Sequence, residues 1–241
     1  MCVRYTNGSL QPEKAGSAPA GVRMAQETEI KLRIGDPKAF RRSLKKLGAK
    51  AVRPGTGRVH EWNVIFDTPE GGLAKHGQLL RIRKETPDGR SKKRVGKPEQ
   101  RTVLTFKRPA GGVSSGTSRA RAEARHKVRE EIEMEVANGS ALMKIFEGLG
   151  LRGWFRYEKY RTTFQLPSSL RWAGGLLVEM DETPIGTFVE LEGPPQAIDR
   201  AARELGFSKS DYVLKNYLVL YVEECRRRGQ EPRDMVFTDT N

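Results

Sequence analysis

Cysteine and histidine are scarce in this chain of 241 residues. The only two cysteines, Cys2 and Cys225, lie far apart in the sequence, and such a pair provides no disulfide framework. The three histidines, His60, His76 and His126, are not spaced like metal ligands. These scarcities favour a reducing, cytoplasmic compartment and argue against a His/Cys metal centre. A metal ion here would have to be a hard cation bound by oxygen.

Long hydrophobic runs are absent as well. No stretch approaches about 18 consecutive apolar residues, which excludes a transmembrane helix, and no membrane partner is expected. The first 23 residues are polar and lack the apolar core of a secretory signal peptide. No internal repeat and no inter-domain linker is found. We therefore predict a disordered leader over 1–24, a single domain over 25–229 and a disordered tail over 230–241.

Positive charge is abundant and unevenly distributed. Lys and Arg number 44 against 30 Asp and Glu, a formal net charge of +14. A basic protein attracts phosphate groups, either on nucleic acid or on small anions. The segment 86–127 holds twelve Lys and Arg and three acidic residues, so it carries +9 of that charge. Its Gly, Pro and Ser content predicts a basic insert with flexible loops.

The remainder of the chain alternates strand patterns with helical ones. Residues Glu27–Ile34 read E-T-E-I-K-L-R-I, in which charged and polar residues alternate with apolar ones, as in a strand with two unlike faces. Seven further strands are predicted, at Val59–Asp67, Gln78–Glu85, Thr102–Arg108, Val128–Val136, Phe155–Leu166, Leu176–Asp181 and Thr187–Glu192. Helical periodicity is found at Pro37–Leu47, Ser140–Leu149, Pro195–Leu205 and Asp211–Arg228.

The polar faces of these strands carry almost only carboxylates, lysines and arginines. For one strand, the simple explanation is a half-buried antiparallel sheet with its polar face in water. Eight such strands, together with helices whose apolar stripes need a surface to cover, favour another arrangement. We predict a β-dominated α+β fold, an eight-stranded antiparallel closed β-barrel with a charged interior and helices packed outside. A charged interior is costly to desolvate, so it should be hydrated, ion-paired or filled with ions. Carboxylates suit a divalent metal, whereas Arg and Lys suit phosphate.

Eight short motifs then occur in the order found in one known family. The sequence E-T-E-I-K at Glu27–Lys31 matches an ExExK signature. The later blocks are Asn63–Pro69, Leu80–Arg83, Leu104–Lys107, Arg129–Val136, Glu158–Arg161, Met180–Gly186 and Phe188–Gly193. Over residues 26–222 the chain resembles the CYTH superfamily, also called triphosphate tunnel metalloenzymes. It is most similar to the bacterial branch that resembles class IV adenylate cyclases and triphosphatases.

The resemblance implies a role for each charged group, with Mg²⁺ or Mn²⁺ as cofactor and a small triphosphate-containing anion as partner. The implied metal ligands are Glu27, Glu29, Asp181, Glu190 and Glu192. The implied phosphate-binding residues are Lys31, Arg81, Arg83, Lys107, Lys159 and Arg161. Catalysis is assigned to Glu131, Glu133 and Lys31, of which the two glutamates would orient a nucleophilic water or hold a second metal.

The resemblance leaves three functions open. The leading hypothesis is a metal-dependent triphosphatase that releases orthophosphate from inorganic or organic triphosphate. The alternatives are a class IV adenylate cyclase, which forms cyclic AMP and pyrophosphate from ATP, and a non-catalytic polyphosphate-binding module. Leu79 stands where animal-type thiamine triphosphatases carry Trp, which argues against that substrate. Nucleic acid is not an expected partner, because the basic insert holds a single aromatic residue, Phe106. A homodimer is left open.

Overall fold

The computed structural model describes residues 22–53, 55–88, 100–110 and 126–238, and strands hold more of them than helices do. The strands are β1 (Val22–Ile34), β2 (Lys50–Ala51), β3 (Arg58–Asp67), β4 (Leu79–Pro87), β5 (Arg101–Pro109), β6 (Lys127–Glu135), β7 (Arg152–Gln165), β8 (Leu177–Thr183) and β9 (Gly186–Glu192). The helices are α1 (Pro37–Lys46), α2 (Gly72–Lys75), α3 (Gly139–Gly148), α4 (Pro195–Glu204) and α5 (Tyr217–Arg227). Much of the predicted leader and of the basic insert lies outside the described residues.

Eight of the strands close into an antiparallel barrel. Their order is β7-β3-β4-β5-β6-β1-β9-β8, and a further pairing of β7 with β8 completes the ring. The predicted eight-stranded closed barrel is thus confirmed. β2 is an extra strand of two residues that pairs with the end of β7, Ala51 opposite Phe164. Two residues are too few to show an alternating pattern, which is why the sequence did not indicate it.

Helices pack against the barrel in three hydrophobic clusters, two on its outer face and one at an end of its interior. Phe40 of α1 and Ile198 of α4 pack with residues of β1, β8 and β9. Phe146 of α3 anchors the second outer cluster, against β3 and β4. Leu220 of α5 instead packs with the inward-facing Phe155 of β7 and Phe188 of β9. Burying such a side chain stabilises the fold by roughly 1.5–3 kcal/mol. None of the described helices has the length and apolar character needed to cross a membrane.

The two ends of the barrel differ. Neighbouring strands are antiparallel, so half of the strands begin at one end of the barrel and the other half end there. The strands that begin at this end are β1, β3, β5 and β8, and those that end there are β4, β6, β7 and β9. We call this the arginine end, after the side chains of Arg53 and Arg101, which are 42% and 46% exposed. At the other end, the helix end, Val213 pairs with Lys31 of β1 just before α5 begins.

The last predicted helix starts later than its periodicity suggests. The pattern predicted a helix from Asp211, whereas α5 begins at Tyr217. The Asn216 side chain accepts a hydrogen bond from the Val219 amide at 2.9 Å and caps the helix there. Before it, Val213 exchanges backbone hydrogen bonds with Lys31 of β1, at 3.1 and 2.8 Å. Pairing with the barrel therefore keeps this stretch extended.

The expected disorder of both chain ends is corrected where the structure describes them. β1 begins at Val22, within the predicted leader. In the predicted tail, Met235 is only 1% exposed and pairs in parallel with Tyr157 of β7. β8 pairs with β7 only from Tyr160 onward, which leaves the edge of β7 around Tyr157 available to another segment. The tail uses that edge, because unpaired strand edges favour the addition of a strand.

Candidate functional site

The barrel encloses a cavity of about 230 Å³ with a strongly charged lining. Ten of the described lining residues are cationic: Arg23, Lys31, Arg53, Arg81, Arg83, Lys107, Lys127, Arg129, Lys159 and Arg161. Nine are glutamates: Glu27, Glu29, Glu61, Glu85, Glu131, Glu133, Glu179, Glu190 and Glu192. Twelve of the thirteen residues that the sequence assigned to the site are in these two sets. The tunnel is thus nearly neutral, although the chain as a whole is basic.

One wall, made by β1 and β9, is rich in carboxylates. Glu29 lies opposite Glu192 in the register of the two strands, and Lys31 lies opposite Glu190. The Lys31 ammonium donates a hydrogen bond to Glu29 at 3.2 Å and lies 3.1 Å from Glu190, while Lys127 donates to Glu29 at 2.5 Å. Burial by itself would raise the pKa of Glu29, but the two lysines hold it well below its usual range. Glu29 is therefore ionised.

Near the arginine end, the same wall has more negative charge than its cations balance. Burial, together with the carboxylates of Glu179 and Glu27, raises the pKa of Glu192 to about 8. The cation beside Glu192 is Arg23, at 3.6 Å. A buried carboxylate that lies near other carboxylates has the chemistry of a ligand for an added cation. The hard oxygens of these carboxylates suit Mg²⁺ or Mn²⁺, so the donor set fits such a metal.

The carboxylates do not converge on a common point in this structure. Within the described ranges, no three Asp, Glu, His or Cys side chains lie close enough together to hold a metal ion. Their oxygens contact lysines and arginines instead: Lys107 donates to Glu27 at 2.6 Å, and Arg161 donates to Glu190. Metal binding at this wall would require these glutamates to exchange ammonium and guanidinium partners for the ion.

The facing wall, made by β4 and β7, is rich in guanidinium and ammonium groups. Arg81 is 8% exposed and donates to the hydroxyls of Tyr157 and Thr105, both at 3.1 Å. Its buried Nε has no hydrogen-bond partner among the described residues. Arg83, also 8% exposed, donates to Glu133 at 3.2 Å. A buried donor without a partner is costly, and an anion in the cavity would provide that partner.

Asp181 does not line the cavity. It is fully buried, and its carboxylate accepts hydrogen bonds from Lys159 at 2.8 Å, from Arg161 at 2.6 and 2.7 Å and from the Tyr217 hydroxyl at 2.7 Å. Both oxygens are thus engaged inside the barrel, on the same face of β8 as the lining residue Glu179. Its carboxylate thus contacts two of the predicted phosphate-binding cations, and the metal role that the resemblance implies stays a prediction.

Sequence reasoning gave no site role to seven charged residues of the described lining: Arg23, Arg53, Glu61, Glu85, Lys127, Arg129 and Glu179. Glu61 is 2% exposed and lies 3.4 Å from Lys159, between the cations of the β4 and β7 wall. Glu85 follows Arg81 and Arg83 at the next inward position of β4. Strand alternation could have identified both glutamates, since they lie two residues from lining positions. Arg53 follows the two-residue β2, and no local pattern predicts its place.

Comparison with solved structures supports the fold. A protein from Pyrococcus horikoshii OT3 superposes with a TM-score of 0.59 at 19% identity, covering 83% of this chain and 98% of its own. A protein from Pyrococcus furiosus gives 0.57 at 23% identity, with coverage of 80% and 99%. A candidate adenylate cyclase from Vibrio parahaemolyticus gives 0.56 at 15% identity, with coverage of 79% and 94%. Identities this low establish a common fold alone.

Sequence comparison identifies the family directly. No curated protein sequence matches the chain. The profile of the CYTH domain, in contrast, matches residues 25–217, which span all nine strands except the first three residues of β1. Both the inward-facing charges and the closed barrel agree with that match. The chain belongs to the CYTH domain family.

Proposed function

We propose that this protein is a divalent-metal-dependent hydrolase that binds a triphosphate-containing anion inside the tunnel and releases orthophosphate. The observation that carries this proposal is the pairing of ten cations with nine glutamates around one cavity. Such a lining suits a ligand that is itself a polyanion accompanied by cations. Phosphoryl transfer needs little covalent help from the protein, because positioning and charge stabilisation supply most of the catalysis.

The cationic wall would hold the phosphate chain. Arg81, Arg83, Lys159 and Arg161 lie on two strands that both pair with β3, so their side chains face the cavity from neighbouring positions. Buried partners fix them: Tyr157 accepts a hydrogen bond from Arg81. Guanidinium groups bind phosphate oxygens in bidentate fashion. Because their geometry is set before the substrate arrives, little reorganisation is needed during the reaction.

Asp181 and Lys31 are proposed to position other groups. Asp181 accepts hydrogen bonds from both Lys159 and Arg161 inside the barrel, so we propose that it positions these cations rather than binding the metal. Lys31 lies between Glu29 and Glu190. We propose that it keeps these two carboxylates ionised and oriented, and that its ammonium also faces the bound phosphates.

Of the two candidate bases on β6, Glu131 is better placed than Glu133. Glu133 accepts hydrogen bonds from Arg83 at 3.2 Å and from Thr105 at 2.9 Å, and the arginines hold its pKa below the usual value against the effect of burial. Glu131 contacts Lys107 at 3.0 Å, and burial raises its pKa. A carboxylate of higher pKa accepts a proton more readily, so we assign Glu131 to receiving the proton of the attacking water.

Four carboxylates would hold the metal: Glu27, Glu29, Glu190 and Glu192. When bound, Mg²⁺ or Mn²⁺ supplies positive charge to the phosphate oxygens as they become more negative. Glu29 is central to this set, since it lies directly opposite Glu192 and two residues from Glu27 on the same face of β1.

The lining favours inorganic triphosphate over ATP. A purine base is commonly held against aromatic rings, and the two aromatic residues of the described lining are Tyr157 and Tyr217. The hydroxyl groups of both are engaged, with Arg81 and Asp181 respectively. No Trp or Phe lines the part of the cavity that the structure describes.

Product analysis tests the proposal and separates it from its alternatives. The purified protein is supplied with inorganic triphosphate, ATP or thiamine triphosphate, each with Mg²⁺ or Mn²⁺. We expect orthophosphate to appear faster from inorganic triphosphate than from the other two. Cyclic AMP and pyrophosphate formed from ATP would instead show a cyclase. Binding of triphosphate without any product would indicate a polyphosphate-binding module.

The variant Glu29→Gln tests the metal assignment. Removing the charge should reduce metal-dependent turnover at least about a hundredfold, since a central ligand is lost. The circular dichroism spectrum should remain that of the parent protein. Glu147→Gln, a neutralised exposed glutamate on α3, is the matched control and should retain full activity. Normal turnover in Glu29→Gln would contradict the assignment.

A further inference from the structure

We propose that the arginine end of the tunnel contains a second anion subsite, formed by Arg53, Arg83 and Arg101 around Glu85, which binds the phosphate beyond the third in a longer phosphate chain. The inference rests on the proposed function, since it assumes that a phosphate chain occupies the tunnel. It concerns the length of the phosphate chain that the protein prefers. It also assigns a role to Arg53 and Arg101, which belong to none of the family motifs.

The subsite is a group of guanidiniums that share one carboxylate. Glu85 is 4% exposed, and its oxygens lie 2.7 Å from Arg53 Nη2, 3.1 Å from Arg83 Nε and 4.0 Å from Arg101 Nη1. Arg101 also donates to Glu135 at 3.0 Å. Within the described residues, Glu85 is the one carboxylate in ion-pair range of Arg53. Arg83 and Arg101 have further carboxylate partners, Glu61 and Glu133 for the first and Glu135 for the second. Each guanidinium has several N–H donors, however, so donors of the partly exposed Arg53 and Arg101 remain available to an anion.

The three arginines connect solvent to the buried phosphate clamp, by which we mean the cations Arg81, Arg83, Lys159 and Arg161. Arg81, Arg83 and Glu85 occupy alternate positions of β4, so the first and last are about 13 Å apart along the strand. The Arg83 side chain is 10% exposed and contacts both Glu133 inside the tunnel and Glu85 at its end. Arg53 lies farther out and is 42% exposed. A phosphate chain bound at Arg81 would therefore continue towards Arg53 past basic side chains.

Tertiary packing fixes the position of Arg53. The two residues of β2, just before Arg53, pair with the end of β7, where Ala51 lies opposite Phe164. Gly57, which also lines the cavity, has a φ of +65°, and a Cβ there would lie 2.8 Å from the Ala51 Cβ. Only glycine permits so close an approach with this backbone. Arg53 is thus held at the tunnel end by a tightly packed turn.

A phosphate group suits this arrangement chemically. Guanidinium groups bind phosphate through two parallel hydrogen bonds, and partial exposure lets Arg53 and Arg101 reorient. Arg53 can exchange Glu85 for a phosphate without leaving that carboxylate unpaired, because Arg83 remains beside it. An inner triphosphate would be neutralised by the cations of the clamp. A fourth phosphate would add contacts with Arg53 and Arg101.

Calorimetric titration with two defined anions tests the subsite. Inorganic triphosphate and linear tetraphosphate are titrated separately into the full-length protein in a chelating buffer, so that no turnover occurs. We expect tetraphosphate to bind at least about fivefold more tightly. Arg53→Ala should weaken tetraphosphate binding about tenfold, as expected for a lost charge-assisted hydrogen bond, and triphosphate binding less than about twofold. Arg53→Gln, which keeps much of the side chain, provides a second variant should the first fail to fold.

Lys50→Ala is the matched control. It removes the same charge from an exposed position of β2 that does not line the cavity, and it should bind both anions like the parent. Equal affinity of the parent protein for the two anions overturns the inference, as does an equal effect of Arg53→Ala on both. An inactive protein that still shows the Arg53-dependent preference would contradict the proposed hydrolase and support the subsite. An active hydrolase without that preference would support the proposed hydrolase and contradict the subsite.

Discussion

At the scale of single residues, the buried glutamates within the cationic wall are as important as the cations. Glu61 lies 3.4 Å from Lys159, 3.7 Å from Arg83 and 3.8 Å from Arg161. Burial by itself would raise its pKa, yet these cations hold it well below the usual range. Glu61 therefore reduces the mutual repulsion of three positive groups that the substrate would otherwise have to neutralise.

Glu61→Gln should destabilise the protein because it removes a buried counter-charge that Lys159, Arg83 and Arg161 share. Breaking a buried ion pair by removing one partner costs about 3–5 kcal/mol, so we expect a loss of about 3 kcal/mol in the free energy of unfolding. Urea denaturation measures it, and added inorganic triphosphate should restore part of the loss. Glu70→Gln, at an exposed position, should change the free energy by less than about 0.5 kcal/mol. Similar values for the two variants would contradict this role.

At the scale of elements, the C-terminal segment supports the tunnel wall. Met235 accepts a hydrogen bond from the Glu158 amide and donates one to the Arg156 carbonyl, both at 2.9 Å. Its side chain packs in the cluster that contains Tyr157 and Tyr217, whose hydroxyls contact Arg81 and Asp181. The segment therefore closes the free edge of β7 beside Tyr157, whose hydroxyl accepts a hydrogen bond from Arg81, a group assigned to phosphate binding.

Met235→Ala should leave a cavity in that cluster. A buried Met→Ala change costs about 2–5 kcal/mol, and we expect a loss near the middle of that range in the free energy of unfolding. Met24→Ala is the control, because Met24 is 69% exposed, and its effect should stay within about 0.5 kcal/mol. Denaturant titration of both variants measures the difference. Equal stability of the two would show that the segment does not dock in solution.

At the scale of the whole molecule, the tunnel couples stability to its ligands. A chain of net charge +14 encloses a cavity with nearly balanced charge, in which a carboxylate wall faces a cationic one. A ligand that binds only the folded protein stabilises it according to its concentration and affinity. Metal and phosphate should each stabilise the fold, and through different walls.

Thermal unfolding with and without ligands tests this separation. Mn²⁺ should raise the melting temperature, EDTA should reverse the change, and inorganic triphosphate should raise it independently of metal. In Glu29→Gln the shift with Mn²⁺ should be lost, whereas that with triphosphate persists. Loss of both shifts together would indicate that the two walls do not act as distinct binding surfaces.

Period-two alternation made much of the fold and site predictable. A strand places alternate side chains on opposite faces, so E-T-E-I-K-L-R-I alone indicates which residues of β1 face the interior. The same rule applied to seven further strands gave the closed barrel and the residues of its charged lining. The proposed roles of those residues remain predictions to be tested.

The sequence by itself thus determined the strands, the inward charges and the covering helices, because each depends on a repeating local pattern. Tertiary structure alone decided the placement of Arg53, the full burial of Asp181 among Lys159, Arg161 and Tyr217, and the docking of Met235. Arg53 follows a strand of two residues, and Met235 occupies an edge of β7 that exists only because β8 pairs with part of that strand. Such contacts join residues distant in the chain, and no local periodicity records them.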